Sequence, residues 1–193
     1  MKPFSLELPG SRVRVVTLGP SAAPRVSDYM RRNREFHGPW TPRFSDRYFS
    51  EAFWHDRLAQ SLEEAARGES LRLFVVEDAD PQGAVRGHMS FNRIVRGPFQ
   101  AALLGYAVDE ARAGQGYMSE GLRLALDHVF SEMRLHRVEA NYVPTNERSG
   151  RLLRRLGFVV QGYARDYLHI DGEWRDHILT ALTNPNPEDP ELP

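Results

Sequence analysis

The 193-residue chain contains no cysteine, which excludes a disulfide framework, a thiolate metal site and a cysteine nucleophile. It has almost no net charge either. With 25 Lys and Arg against 26 Asp and Glu, no whole-protein field draws it to DNA or to a membrane surface. No stretch approaches the about 18 consecutive apolar residues of a membrane span, and MKPFSLELPG lacks the apolar run of a signal peptide, so a cytoplasmic protein is expected. The seven histidines show no H-x-x-H or H-E-x-x-H spacing, and no metal site is expected. The glycines form neither a G-x-G-x-x-G fingerprint nor a G-K-[ST] triphosphate loop.

What is present is organised around GYAVDEARAGQGYMSEGLRLALDHVFSEM, residues 105–133. Met118, Leu122, Ala125, Leu126, Val129 and Met133 recur at three- and four-residue steps, one face of a helix of about four turns. An apolar strand, roughly Ala101 to Val108, precedes it. Between them Gly114 and Gly116 turn the backbone sharply, and the first helical N–H groups are left pointing outward beside the positive end of the helix dipole. That arrangement suits a phosphate or pyrophosphate, although a plain tight turn has the same sequence.

On either side the chain reads as one body. Arg12 to Gly19 predicts a strand, Ala22 to Arg34 a helix, and FHGPWTPRF, with Pro39 and Pro42 around Trp40, a rigid surface loop of the kind that lines sites. Asp46 to Arg67 predicts a helix whose aromatic stripe reads as core in preference to substrate contact. Strands follow over Leu71 to Asp78 and Ala84 to Val95, and another at HRVEANYV. TNERSGRLLRRLGF gives a helix capped by Asn146 and stopped at Gly157, and a last hairpin turns at Asp171 and Gly172. Residues 1–184 read as one domain, and the proline-rich, acidic 185–193 as a flexible tail.

The six residues Ala113 to Met118 resemble the R/Q-x-x-G-x-G/A loop with which the GCN5-related N-acetyltransferase (GNAT) superfamily wraps the pyrophosphate of coenzyme A. Two positions depart: Ala113 stands for Gln or Arg and Met118 for a small residue, so that Arg112 is the nearest replacement donor. The element order is similar to that superfamily's. HRVEANYVPTNERSGRLLRRLGFVVQGYARDYLHIDGEWRDHILTALT, with NREFHGPW, SFNRIVRGPF and LGYAV, narrows the resemblance to the branch that acetylates the N-terminal alanine of a small-subunit ribosomal protein. The fold it implies is α/β (α+β): a central, mixed, mostly antiparallel sheet flanked by helices in a single domain.

The resemblance implies direct transfer from acetyl-coenzyme A to an N-terminal amine of a ribosomal protein, with ribosome association as a further expectation. It places the co-substrate against Ala107, Val108, Arg112, Ala113, Gly114, Gln115, Gly116, Tyr117, Met118, Asn146, Ser149 and Leu153. Many relatives carry a thiolate-protonating tyrosine seven residues after the asparagine, where this chain has Leu153. The ribosomal branch carries a serine three residues after it, here Ser149. Ser149 and Asn146 are thus the catalytic candidates, with plain support of the helix start as the other reading of each.

The acceptor groove is expected from Trp40, Phe91, Asn92, Tyr106, Asn141, Tyr142, Tyr163, Tyr167 and Trp174. No base stands out. Asp166, Glu139, Glu173 and Tyr106 are candidates, with a water relay as the alternative. Arg148, Arg151, Arg154 and Arg155 read as a solvated face or as contacts to the nucleotide phosphate. A small-molecule amine acetyltransferase and a non-catalytic acyl-coenzyme A binding module remain open.

Overall fold

The chain alternates strand-forming and helix-forming stretches, and each strand finds its neighbour in one sheet. The computed structural model describes residues 4–187; 188–193, most of the expected tail, lie outside the described residues. Eight strands, β1 (Glu7–Pro9), β2 (Val13–Val16), β3 (Leu71–Glu77), β4 (Gly87–Val95), β5 (Ala101–Val108), β6 (Arg137–Tyr142), β7 (Val159–Ile170) and β8 (Glu173–Thr183), lie in the order β1-β2-β3-β4-β5-β6-β8-β7. All neighbours run antiparallel except β5 and β6, which are parallel. Their connection carries the helix α4 (Tyr117–Ser131), and a crossover helix is what a parallel pair requires.

The helices bury opposite faces. Leu122, Ala125, Leu126 and Val129 of α4 pack on Val15, Leu73, Val75, Met89 and Leu104. On the other face Tyr29 and Met30 of α1 (Ala23–Arg32) and Trp54 and Leu58 of α3 (Glu51–Ala66) cover Val16, Phe74 and Val76. Successive strand residues point to opposite faces, so β3 serves both cores, Leu73 and Val75 inward to α4, Phe74 and Val76 to α1 and α3.

Three local expectations change. The predicted first helix opens as a 3-10 turn, Pro20–Ala22, and is interrupted at Asn33, whose side chain accepts from the Glu110 N–H at 2.8 Å; a short α2 (Arg34–His37) follows. The proline loop contains a 3-10 turn over Gly38–Trp40. The helix expected from Asp46 is a 3-10 turn to Phe49 before Ser50, whose hydroxyl caps α3 by accepting from the Phe53 N–H at 3.2 Å. The aromatic stripe is core at Trp54, as expected. The final helix is α5 (Glu147–Arg155).

Candidate active site

β5 and β6 pair only at their starts. Their register runs from Ala101 opposite Arg137 to Leu103 opposite Glu139, yet β5 continues to Val108 and β6 to Tyr142. Beyond Leu103 the two strands part, and a cleft of about 780 Å³ opens there. The Asp109 N–H donates to Arg86 O on the β4 side at 2.8 Å; by alternation along the strand, the amides of Tyr106 and Val108 face the other edge, into the gap. Val108 O is taken by His37 Nε2 at 2.8 Å instead of by a strand. Backbone donors on a rigid strand, facing a cleft, are suited to polarising a carbonyl.

At one end of the cleft lies the glycine loop. Gly114 and Gly116 have φ of +77° and +86°, a left-handed backbone that favours glycine, and Gly116 is the N-cap of α4 with no side-chain cap bond. The first N–H groups of α4 are free to meet an anion. Arg12 braces the loop from outside, donating to Gln115 O at 3.0 Å and to Glu120 Oε2 at 3.0 Å. Arg112 does line the cleft, but its guanidinium already donates to Glu77 Oε1 at 2.9 Å and lies over the Tyr117 ring. Gly114, Gly116, Tyr117 and Met118 line the cleft, whereas Ala113 and Gln115 are not among its lining residues.

The other wall on this face is α5. Asn146 Oδ1 accepts from the Ser149 N–H at 3.1 Å, the helix cap, while the Ser149 hydroxyl lies 2.8 Å from the Tyr106 hydroxyl. Burial pushes the Tyr106 phenol up to about 12, so it is protonated at neutral pH. Leu153, expected against the co-substrate, is instead a core residue at 1% exposure and does not line the cleft, because it lies on the buried face of α5. Arg148, Arg151 and Arg155 also line the cleft, and Arg148 lies over the Phe36 ring.

Through the gap, the opposite face of the sheet is polar where a core would be apolar. His88, Ser90 and Asn92 alternate along β4 and face Ala107, Gly105 and Leu103 of β5 in register. Trp40, Thr41, Pro42, Phe44 and Tyr48 form the facing wall. The Tyr29 hydroxyl donates to Ala107 O at 3.1 Å, so at its 3.3 Å contact with His88 Nδ1 it accepts, which leaves His88 Nε2 an acceptor. Burial, with Arg72 and His37 nearby, holds the His88 pKa down at about 3, so this imidazole is neutral at pH 7. His37, lowered chiefly by burial, must carry its proton on Nε2 to bond Val108 O, and its Nδ1 is an acceptor.

Of the expected groove residues, Trp40, Asn92, Tyr106, Asn141 and Tyr142 line the cleft. Phe91 does not. It is fully buried in the α4 core, because neighbours on a strand cannot both face the groove. Tyr163 and Trp174 are 58% and 62% exposed away from the cleft, Tyr163 bonded to Asp176. Tyr167 reaches the site only through the Asn141 amide, 3.1 Å from its hydroxyl, and the His177 ring. Among the candidate bases, Glu139 pairs with Arg137 at 2.8 Å and Glu173 with Arg175 at 3.2 Å, and neither these nor Asp166 lines the cleft. The buried Asp109, though next to β5, is paired with Arg32 at 3.1 Å and Arg86 at 3.3 Å. Burial alone would raise its pKa; the two arginines and Asn33 outweigh it and keep the carboxylate charged. The alternation H-M-S-F-N in β4 was the available signal for His88 and Ser90, while the cleft position of Arg72 becomes visible only once β3 is laid beside β4.

A mixed sheet split between two parallel strands, with an uncapped helix start suited to an anion at one end of the split and hydroxyls and strand amides at its centre, is the arrangement of an acyltransferase fed by a phosphate-bearing donor. The chain belongs to the GNAT acetyltransferase family: residues 12–159 match the acetyltransferase (GNAT) domain. It is 42% identical over 162 residues to the [ribosomal protein uS5]-alanine N-acetyltransferase of Escherichia coli K12, covering 84% of this chain and 82% of that one. The ribosomal-protein-S5-alanine acetyltransferase of Vibrio fischeri superposes with a TM-score of 0.90 at 33% identity, over 95% of this chain and 100% of that one. Mycobacterium smegmatis RimJ, solved in complex with CoA-disulfide, gives 0.83 at 28% identity, over 94% and 86%. The expected fold is the one observed, and the protein is an acetyltransferase.

Proposed function

We propose that this acetyltransferase moves the acetyl group of acetyl-coenzyme A to the N-terminal amine of a protein beginning with alanine, with a small-subunit ribosomal protein as the acceptor met in the cytoplasm. The observation that carries the reading is the two-faced cleft. The glycine loop, α5 and the Ser149–Tyr106 pair stand on one face, a polar groove rimmed by Trp40 and Phe44 stands on the other, and they meet at the free edge of β5. The similarity to acetyltransferases named for ribosomal protein alanine supplies the acceptor.

Acetyl-coenzyme A supplies an activated thioester. The uncapped start of α4 holds its pyrophosphate, and Arg148, Arg151 and Arg155 of α5, which line the same cleft, meet the nucleotide end. The amides of Tyr106 and Val108 polarise the thioester carbonyl. An N-terminal amine has a pKa of about 7.7 to 8.0, so an appreciable share is neutral at physiological pH and water in the polar groove can take its proton. As the amine nitrogen bonds to the carbonyl carbon and the C–S bond breaks, the Ser149 hydroxyl gives its proton to the departing sulfur, Tyr106 restores it, and Tyr106 regains its own from water, which has received the amine's proton. Residues 1–184 act here as one catalytic unit.

Thiol release tests the reading. With acetyl-coenzyme A, peptides beginning with alanine should release thiol far faster than small free amines. Binding of the co-substrate without release for any peptide would leave a non-catalytic module, and preference for small amines would move the activity to that class.

A further inference from the structure

Arg72 sits in the middle of the acceptor face, stacked over the Trp54 ring but, among the described residues, with no carboxylate in direct contact. It stands on β3 opposite Ser90, which stands opposite Gly105, so one cross-sheet row runs from Arg72 to the exposed backbone of β5. Its side chain lines the cleft beside His88 and Tyr48. Its Nε is buried without a hydrogen-bond partner, and among the described residues no carboxylate pairs with it. The acid that acts on it electrostatically, Glu64, is already engaged: its two oxygens accept from Arg57 at 3.1 and 2.9 Å, and one also accepts from the Ser70 hydroxyl at 2.7 Å. Trp54, whose ring centroid is 5.8 Å from the guanidinium carbon of Arg72, also keeps a buried N–H without an acceptor. The Trp54 N–H lies in the core, outside the cleft lining, so a molecule in the groove meets the outer nitrogens of the Arg72 guanidinium.

A half-desolvated cation without a counter-ion is costly unless a bound molecule completes it. Burial, with Arg57 close by, brings the Arg72 pKa down to about 10, still far above neutrality, so the group remains a cation. On the side facing solvent it looks into the groove between β4 and the Trp40–Tyr48 wall.

Resting on the proposed peptide acceptor, we infer that Arg72 is a specificity-determining residue that pairs with a carboxylate on the second or third residue of the acceptor chain. Strands are about 4.8 Å apart, which sets the Arg72 Cα about 10 Å from that of Gly105. An extended peptide advances about 3.3 Å per residue from the amine at the β5 edge, and an acidic side chain one or two residues on closes the distance together with the arginine's own length. The planar guanidinium, with several donors in a fork, matches a carboxylate better than it matches a lone carbonyl.

The test compares alanine peptides carrying Glu at the second or at the third position with the same peptides carrying Gln, using kcat/KM for thiol release by the wild-type enzyme, Arg72→Lys and Arg72→Met. The wild type should favour one Glu peptide over its Gln partner by about ten- to a hundredfold, the range of a charge-assisted hydrogen bond in a partly dry site. Arg72→Lys should keep part of that ratio, and Arg72→Met should bring it close to one. Because each ratio is taken within one enzyme, a fold defect cannot imitate the result. Equal rates for Glu and Gln in the wild type, as expected if Arg72 only holds water, overturn the inference while leaving N-terminal acetylation standing; so does an unchanged ratio in Arg72→Met. Failure of every alanine peptide overturns both.

Discussion

The Ser149 hydroxyl lies 2.8 Å from the Tyr106 hydroxyl, joining α5 to β5 beside the point where β5 and β6 part. Helix capping is done by Asn146, which accepts from the Ser149 backbone N–H, a group that alanine keeps. The two readings of Ser149 therefore separate cleanly.

Ser149→Ala should lower kcat by about ten- to a thousandfold and leave acetyl-coenzyme A affinity nearly intact, because a proton donor to the leaving group acts in the transition state. Its stability cost is that of one hydroxyl contact, about 0.5–1.5 kcal/mol. A thioester with a more acidic thiol should partly rescue the variant. Tyr106→Phe added to Ser149→Ala should cost less than the two separate losses multiplied, since both act on one proton. Steady-state kinetics and a melting curve decide it: wild-type kcat per folded molecule retires Ser149 as the acid.

Gly116→Val should weaken acetyl-coenzyme A binding. A Cβ at Gly116 would lie 2.9 Å from Arg12 Nη2, on a backbone with φ of +86° that branched residues avoid. The Arg12 tip can swing aside, losing its bond to Gln115 O, but the left-handed φ strains a branched residue, and the free amides at the start of α4 move as that strain relaxes. Gly114→Ala, at φ of +77° with open space around the added Cβ, should disturb binding less. Calorimetric titration measures both, and unchanged affinity in folded Gly116→Val removes the loop from the site.

Glu120 should make the fold sensitive to acid. Burial alone would raise its pKa, but the N–H groups of Arg12 and Val13, the Arg12 guanidinium and the Ser11 hydroxyl outweigh it and hold the value at about 2. A depressed carboxylate stabilises above its unfolded pKa, so this contribution is complete above about 4.5 and is lost as pH falls toward about 2. Denaturant midpoints measured across that window should fall more steeply for the wild type than for Glu120→Gln. Parallel acid limbs would contradict the assignment.

The sequence carried the elements with the strongest periodicity. The limits of β5, the apolar face of α4 and the Asn146 cap all follow from local pattern, because each is dictated by residues within a few positions. The candidate site was partly legible for the same reason: the glycine pair and Ser149, which the structure places along the cleft, sit at helix starts. What escaped was nonlocal. β1 is three residues long and exists through its pairing with β2. Arg112 looked free until the fold set it beside Glu77. Tyr163 and Trp174 looked like groove walls because they are aromatic, but the last hairpin places them outside the cleft. Phe91 failed on a rule that was available, since period-two alternation puts it opposite Asn92.

The most direct test of the account is N-terminal peptide mass spectrometry of small-subunit ribosomal proteins, purified without their acetyl groups and incubated with this protein and acetyl-coenzyme A. The account predicts one acetyl group on the α-amine of a protein that begins with alanine, with a matching amount of released thiol. Acetyl groups on lysine side chains alone, or no transfer to any ribosomal protein by an enzyme that still binds acetyl-coenzyme A, would contradict it.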